Sequence, residues 1–340
     1  MKSSQLREVI LTVCVACLLS AVQPAEAKCG SCGVKGKTGT EHSHAIIAGT
    51  GYSELTDAAK AGLEAATKAK NAIGKVTPKL VLVFALSKDF DQAKALAAVT
   101  SVFDPGIVHG SAGYNSISEE GNAGTISVLA LGGDKLGVTP VIADVQNKNF
   151  KACGRKIGKR LSYPSKVHHS GKVVILLGDC HVPANDKVVR GIASVIGNKI
   201  PIVGGAATGG QMYFKGKIAG ANKNMGILIT GDFTVGCSTV NTGPKEIHPN
   251  KVVAAAGLAM KNAVGANLKH TALVFAFDCG GRRELMGKDR PEELKVMQKV
   301  IGTKTPLIGV YGSGEMGPKA CGQPSAGVGH HIAACVLINK

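Results

Sequence analysis

The feature that most constrains this chain is a pattern that occurs three times: an apolar strand, a helix-sized interval, then a second short strand running into a glycine-rich loop. The apolar strands are Leu80 to Ala85 (LVLVFA), Val173 to Leu177 (VVILL) and Ala272 to Phe277 (ALVFAF). The loops that answer them are Ile107 to Gly113 (IVHGSAG), Ile202 to Gly209 (IVGGAATG) and Leu307 to Glu315 (LIGVYGSGE). Self-similarity on this scale means one folding unit reused. Further strands follow each loop, so the sheets are expected to be mixed rather than purely parallel. The expected class is α/β, built of repeated β-α-β units with mixed sheets and Gly-rich loops at strand ends, in two associated domains. Function is sought at those loops, because glycine lets a backbone approach a ligand closely.

The rest of the first unit reads as an opening strand at Ala45 to Gly49, a helix capped by Thr56 and ending near Ala69, a helix from Asp91 to Val102, and strands at 125–131 and 139–145. A helix over 150–161 then leads to a boundary at Tyr163-Pro164; in the second unit a helix from Asp186 to Ile196 follows the strand, and strands are expected at 211–218, 225–229 and 233–240. Asn241-Thr242-Gly243-Pro244 is the clearest internal break. Beyond it Asn250 is expected to cap a helix over 252–264, followed by a helix from Pro291 to Ile301 and a last strand over 331–338.

With 340 residues, 44% hydrophobic content and 45 glycines, the chain can bury one or two real cores, which excludes disordered and fibrous classes. A net charge of +17 invites a nucleic-acid reading. The lysines are dispersed, however (Lys68, Lys70, Lys75, Lys79; Lys215, Lys217, Lys223), and tryptophan is absent with aromatics at 4%, so there is no material for base-stacking platforms. The charge reads as a basic soluble surface, and no nucleic-acid partner is expected.

The N-terminus has the form of an export signal over residues 1–27: Lys2 and Arg7, an apolar run from Val9 to Val22, and a small-x-small cleavage site at Ala25-Glu26-Ala27. That run is too short for a comfortable membrane span, so a periplasmic or secreted protein without an integral span is expected, with lipid attachment at Cys17 the lesser alternative. Residues 28–44 read as a Cys-, Gly- and Lys-rich linker. Export makes a local Cys29–Cys32 disulfide plausible there, and His42 and His44 lack the partners a metal would need. Cys153 and Cys335 read as buried small hydrophobes.

The stretch Pro306-Leu-Ile-Gly-Val-Tyr311-Gly-Ser-Gly-Glu315-Met-Gly-Pro318, with His330 or His331 before a final apolar strand, resembles the signature of the FIST C domain. Phe277-Asp-Cys279-Gly-Gly-Arg282 is similar to the Cys-x-Gly-Arg segment that opens that domain's loop. Gly51-Tyr52-Ser53, the LVLVFA strand, Gly110-Ser-Ala-Gly113 and Pro201-Ile-Val-Gly204-Gly-Ala-Ala207 resemble the FIST N domain. The likeness places an N-like domain over 45–241 and a C-like domain over 242–340. It implies a sensory, small-ligand-binding module, proposed in the family to bind molecules such as amino acids and in some members haem. No kinase, cyclase, chemoreceptor or F-box segment accompanies it here, and the signalling partner is unknown.

The ligand-binding candidates are Cys279, Arg282, Tyr311, Gly312, Gly314, Glu315, His330 and His331. Arg282 would clamp an anion, Glu315 would accept from an ammonium, Tyr311 would add a hydroxyl and a ring face, and the glycines would offer backbone N–H groups, which together suit a small anion or zwitterion. Tight turns, an Arg282–Glu315 pair and a core tyrosine are the structural alternatives. The leading reading needs no catalytic residue, cofactor or metal. Two others stay open. One is a haem-binding gas sensor with His330, His331 or Cys279 as axial ligand. The other is a cysteine-dependent hydrolase using Cys279, its pKa lowered by the neighbouring arginines. His109-Gly-Ser111-Ala-Gly113 lacks the first glycine of a nucleophile elbow and carries little weight.

Overall fold

The computed structural model describes residues 46–242, 248–266 and 268–340. The export signal, the Cys29–Cys32 pair, the linker histidines and Gly243-Pro244 lie outside the described residues.

Three units follow one another. The first comprises β1 (Ile47–Ser53), α1 (Ala58–Ile73), β2 (Pro78–Leu86), α2 (Gln92–Val102), β3 (Val108–Gly113), β4 (Ser116–Ser118) and β5 (Ile126–Gly132). The second comprises β6 (Gly137–Asp144), α3 (Phe150–Leu161), β7 (Gly171–Gly178), α4 (Ala184–Ile196), β8 (Ile202–Ala206), β9 (Met212–Phe214), β10 (Lys217–Ile218) and β11 (Lys223–Gly231). The third comprises β12 (Phe233–Asn241), α5 (Pro249–Val264), β13 (Thr271–Cys279), α6 (Gly280–Met286), α7 (Arg290–Ile301), β14 (Leu307–Gly312), β15 (Glu315–Pro318), β16 (Ser325–Val328) and β17 (His331–Asn339).

Each unit contributes the body of one sheet and lends the strand after its glycine turn to another. The orders are β1-β5-β2-β3-β9-β10, β16-β15-β8-β7-β11-β6 and β12-β17-β13-β14-β4. β3 is thus extended by β9 of the second unit, β8 by β15 of the third, and β14 by β4 of the first, so the exchange runs in a cycle. Within each sheet the repeated strands β2–β3, β7–β8 and β13–β14 are parallel and the other pairings antiparallel, the mixed α/β architecture expected.

The apolar strands are continuous because both of their faces are buried. Leu80, Leu82 and Phe84 of β2, Val173, Ile175 and Leu177 of β7, and Leu273, Phe275 and Phe277 of β13 point into one core shared by all three sheets. Phe84 meets Phe277 edge to face there, with ring centroids 6.0 Å apart. The alternate residues Val81 and Val83, Val174 and Leu176, and Val274 and Ala276 turn outward under α1 and α2, α3 and α4, and α5 and α7. Glycines allow the close approach of the parallel strands. A Cβ at Gly110, Gly204 or Gly309 would lie 1.8, 1.7 or 2.1 Å from the carbonyl oxygen of Val83, Leu176 or Ala276.

Several local expectations shift. Asp57, not Thr56, caps α1, accepting from the Lys60 N–H. α5 starts at Pro249, so Asn250 lies inside it rather than at its cap. The single strand expected over 211–218 is a hairpin turned at Lys215-Gly216, both at positive φ. The strand at 233–240 does not close the second unit. Every residue of β12 from Phe233 to Asn241 pairs with β17, and β6 likewise pairs with β11 rather than with the first sheet.

Candidate functional site

The three glycine turns converge. The N–H of Tyr114 donates to Tyr311 O (2.8 Å) and that of Tyr311 to Asn115 O (3.0 Å), joining the first turn to the third. The N–H groups of Ser313 and Ala206 bond Ala206 O (2.9 Å) and Gly314 O (2.7 Å), joining the third to the second. Ala112 N–H donates to Gln211 O (3.0 Å) and closes the ring. These five turn amides therefore donate to carbonyls of the neighbouring turns rather than outward. Gly312 serves packing, since a Cβ there would stand 2.5 Å from Ala206 O.

Successive strand residues point to opposite faces, so the end of β13 divides the candidates into two groups. Asp278 faces the helices. Arg282, four residues on in α6, donates from Nε to Asp278 Oδ1 (2.6 Å) and from Nη2 to Glu293 Oε1 of α7 (2.6 Å). Tyr311 OH donates to Glu293 Oε2 (2.5 Å) and accepts from Asn122 Nδ2 (3.0 Å). Arg282, Glu293 and Tyr311 are fully buried. The expected anion clamp is thus held by two protein carboxylates, and the Arg282–Glu315 pair does not form. Burial works to lower the Arg282 pKa, but Asp278 and Glu293 outweigh it and the guanidinium stays charged. Burial, with Asp278 adding to it, holds the Glu293 carboxyl well above the usual range. Burial and then the charge of Glu293 raise Tyr311.

On the other face lie Cys279, Glu315, His330 and His331. Glu315, first residue of β15, is fully buried; its Oε2 accepts the His331 N–H (3.0 Å), while its Oε1 has no hydrogen-bond partner among the described residues, and the neighbouring Cys279 thiol favours the charged form. Burial holds this carboxyl well above the ordinary range, and Asp278 pushes the same way. Cys279 is 6% exposed. The lowered thiol expected from the neighbouring arginines is not found, because burial and then Glu315 push it up to about 11, although the N–H groups of His330, Gly281 and Arg282 favour the thiolate. His331 is half-buried and its Nδ1 lies 2.7 Å from Gly329 O. Burial lowers its pKa. His330 is exposed, at φ +59°, with its ring against Gly281, where a Cβ would stand 2.9 Å from Cε1. Gly314 packs at the rim, near Asn185.

Thr242 ties the two faces together. Its hydroxyl accepts from Arg282 Nη1 (3.2 Å) and donates to His330 O (2.6 Å). Sequence reasoning missed Thr242, Asn122, Asp278 and Glu293. Asp278 alone had a signal, the i,i+4 spacing to Arg282 inside the quoted motif. His109 lies buried in β3 against Phe214, and burial, then Lys215, lowers its pKa to about 4.

The model of the FIST N domain matches residues 79–256, more than half of the chain, and that of the FIST C domain matches residues 208–318. The chain belongs to the FIST family. FIST domains are sensory and bind small ligands, which is the coarse function of this chain. The two matches overlap over 208–256, where β12 leaves the second unit for the third sheet.

No curated protein matches the sequence. Among solved structures, a cyanuric acid hydrolase described as an evolutionary innovation by structural concatenation is similar at 11% identity and a TM-score of 0.46, over 87% of this chain and 100% of that one. The cyanuric acid hydrolase from A. caulinodans is similar at 10% identity and 0.44, over 87% and 100%. A chorismatase is similar at 8% and 0.43, over 87% and 98%. Likeness this loose carries no argument about chemistry. Among the described residues, no helix is long and apolar enough to cross a membrane.

Proposed function

We propose that this FIST protein is exported and senses a small anionic or zwitterionic molecule, of which an amino acid is the simplest example, without catalysis. Glu315 carries the reading. It is a buried carboxyl at the meeting of the glycine turns, with Oε1 unpartnered among the described residues, and a buried polar atom without a partner costs about 1–3 kcal/mol unless something supplies one. An ammonium group would do so, while the exposed His330 beside it offers a donor to the carboxylate end of the same molecule. His330 is also held in the left-handed region, a conformation that a non-glycine residue keeps only where its surroundings impose it. The Arg282 network supports this rim from behind through Thr242. Export rests on Lys2, Arg7, the apolar run and Ala25-Glu26-Ala27.

Thermal denaturation of the full chain against a panel of amino acids and small carboxylates tests the binding reading. A stabilising hit is expected, reduced by Glu315→Gln, and a panel without any hit argues against it. N-terminal sequencing of the mature chain tests export, and a chain that retains Met1 argues against it.

A second reading, a cysteine-dependent hydrolase, is favoured by the backbone N–H groups of His330, Gly281 and Arg282, which act to lower the Cys279 thiol pKa against burial. Alkylation of Cys279 that half-saturates near neutral pH would support it; reaction only at strongly alkaline pH would dispose of it.

A further inference from the structure

Among the described residues, Cys153 and Cys180 meet on either side of Asn224, and Cys279 stands beside Glu315. The other three cysteines form a cluster of their own at the edge of the third sheet. Cys237 of β12 and Cys335 of β17 are Cα partners across the antiparallel pair. The Cys237 N–H donates to Cys321 Sγ (2.9 Å), and its carbonyl accepts from the same thiol (3.4 Å). Its backbone groups therefore point off the sheet edge, away from β17. That makes Cys237 and Cys335 a non-hydrogen-bonded pair, the kind whose Cα atoms stand about 4.5 Å apart with side chains close, within the roughly 4.4–6.8 Å that a disulfide needs.

Both side chains turn into the central core, and the Cys335 thiol, ahead of burial, holds the Cys237 thiol well above its ordinary range. Cys321 is exposed. It opens with Cys237 onto a cleft of about 490 Å³ whose lining includes His169, Lys172, Lys199 and Lys340. An exposed thiol is thus placed against a buried pair at the mouth of a basic depression.

We propose that Cys321, Cys237 and Cys335 form a thiol–disulfide relay that ends in a Cys237–Cys335 disulfide, with an anionic low-molecular-weight disulfide as oxidant. The Cys321 thiolate attacks one sulfur of that reagent, forming a mixed disulfide and releasing one small thiolate. Cys237 then attacks the Cys321 sulfur and releases the second small thiolate. Cys335 attacks the Cys237 sulfur and returns Cys321 as a thiol. Overall, two protein thiols become one disulfide and one small disulfide becomes two thiols, the two protons passing to the released thiolates. Burial raises the Cys321 thiol as well as Cys237, so it is exposure that makes Cys321 the point of entry, and the lysines favour a negatively charged reagent.

The test incubates the native full chain with glutathione disulfide, alkylates, and maps the linked peptides. A Cys237–Cys335 linkage is expected. Cys321→Ser should slow its appearance about tenfold or more, while the small oxidant diamide should still produce it in that variant. Reversing two charges with Lys199→Glu and Lys340→Glu should slow the reaction with glutathione disulfide and not with a neutral aliphatic disulfide. The relay is overturned if Cys237 and Cys335 stay fully alkylatable after denaturation. It is also overturned if oxidation stops at a Cys321–glutathione adduct, links Cys321 to Cys29 or Cys32, or proceeds equally fast in Cys321→Ser. None of these readouts involves the Glu315 site, so the two proposals fail separately.

Discussion

One register position separates the third sheet from the other two. Where the parallel strands end, Ala85 faces Ala112 in the first sheet and Gly178 faces Ala206 in the second, but Asp278 faces Tyr311 in the third. Three glycines, Gly110, Gly204 and Gly309, hold the strands together identically, so the backbone is common and only the side chains differ. Small residues let the first two ends close on apolar packing. The third end holds three ionisable side chains and a phenol shielded from solvent and bonded to one another, and carries on its other face a carboxyl whose Oε1 has no partner among the described residues. A repeated scaffold with one specialised copy is the simplest account of that contrast.

The contrast breaks most severely at Arg282. Arg282→Met leaves Asp278 and Glu293 buried without their counter-charge, and removing one partner of such a cluster costs about 3–5 kcal/mol. Adding Asp278→Ala and Glu293→Gln to the same chain should restore most of the loss, because no uncompensated charge remains. Chemical denaturation of the single and triple variants decides this, and a triple variant as unstable as the single would contradict it.

The first sheet has its own titrating group. His109 is neutral when folded, with its pKa lowered to about 4 from 6.5, so its stabilising share is complete above pH 6.5 and is lost as pH falls toward 4. At 1.36 kcal/mol per pKa unit this is at most about 3–4 kcal/mol, and His109→Phe should flatten that acid limb in denaturation curves taken across pH.

Smaller losses sharpen the comparison. Tyr311→Phe strips Glu293 and Asn122 of a partner and should cost about 1–3 kcal/mol. Alanine at Gly110, Gly204 or Gly309 should cost at least about 1–3 kcal/mol by overpacking, and similarly at all three if the scaffold is common to the units. Unequal losses would show that the units differ in more than their strand-end side chains.

How much of this was legible in the sequence follows from the distance over which each feature is encoded. The strands LVLVFA, VVILL and ALVFAF are uninterrupted apolar runs because helices cover one face and the central core the other, so local composition reports them. α6 begins with Gly280-Gly281 and reads as loop. Its role depends on Arg282 reaching Asp278 behind it and Glu293 ahead of it. Glu293, in the first turn of a helix next to the half-exposed Glu292, has no local mark of burial, and its partner Tyr311 is 18 residues away. The cyclic strand exchange and the Cys237–Cys335 pair join segments about a hundred residues or more apart in places, beyond the reach of any periodicity. Arg282, Tyr311 and Glu315 were picked out by motif, but residue type alone could not tell which were already bonded.

Comparing exposed histidines at the two ends of the third sheet tests the central claim most directly. Calorimetric titration of the best-stabilising small molecule into wild type, His330→Ala and His270→Ala separates the two ends, since His330 precedes β17 where β13 finishes and His270 precedes β13. The account predicts an affinity loss of about tenfold or more, or roughly 1.4 kcal/mol, for His330→Ala and an unchanged constant for His270→Ala. Equal losses at both positions, or a loss at His270 alone, would contradict a binding site at the glycine turn of the third unit.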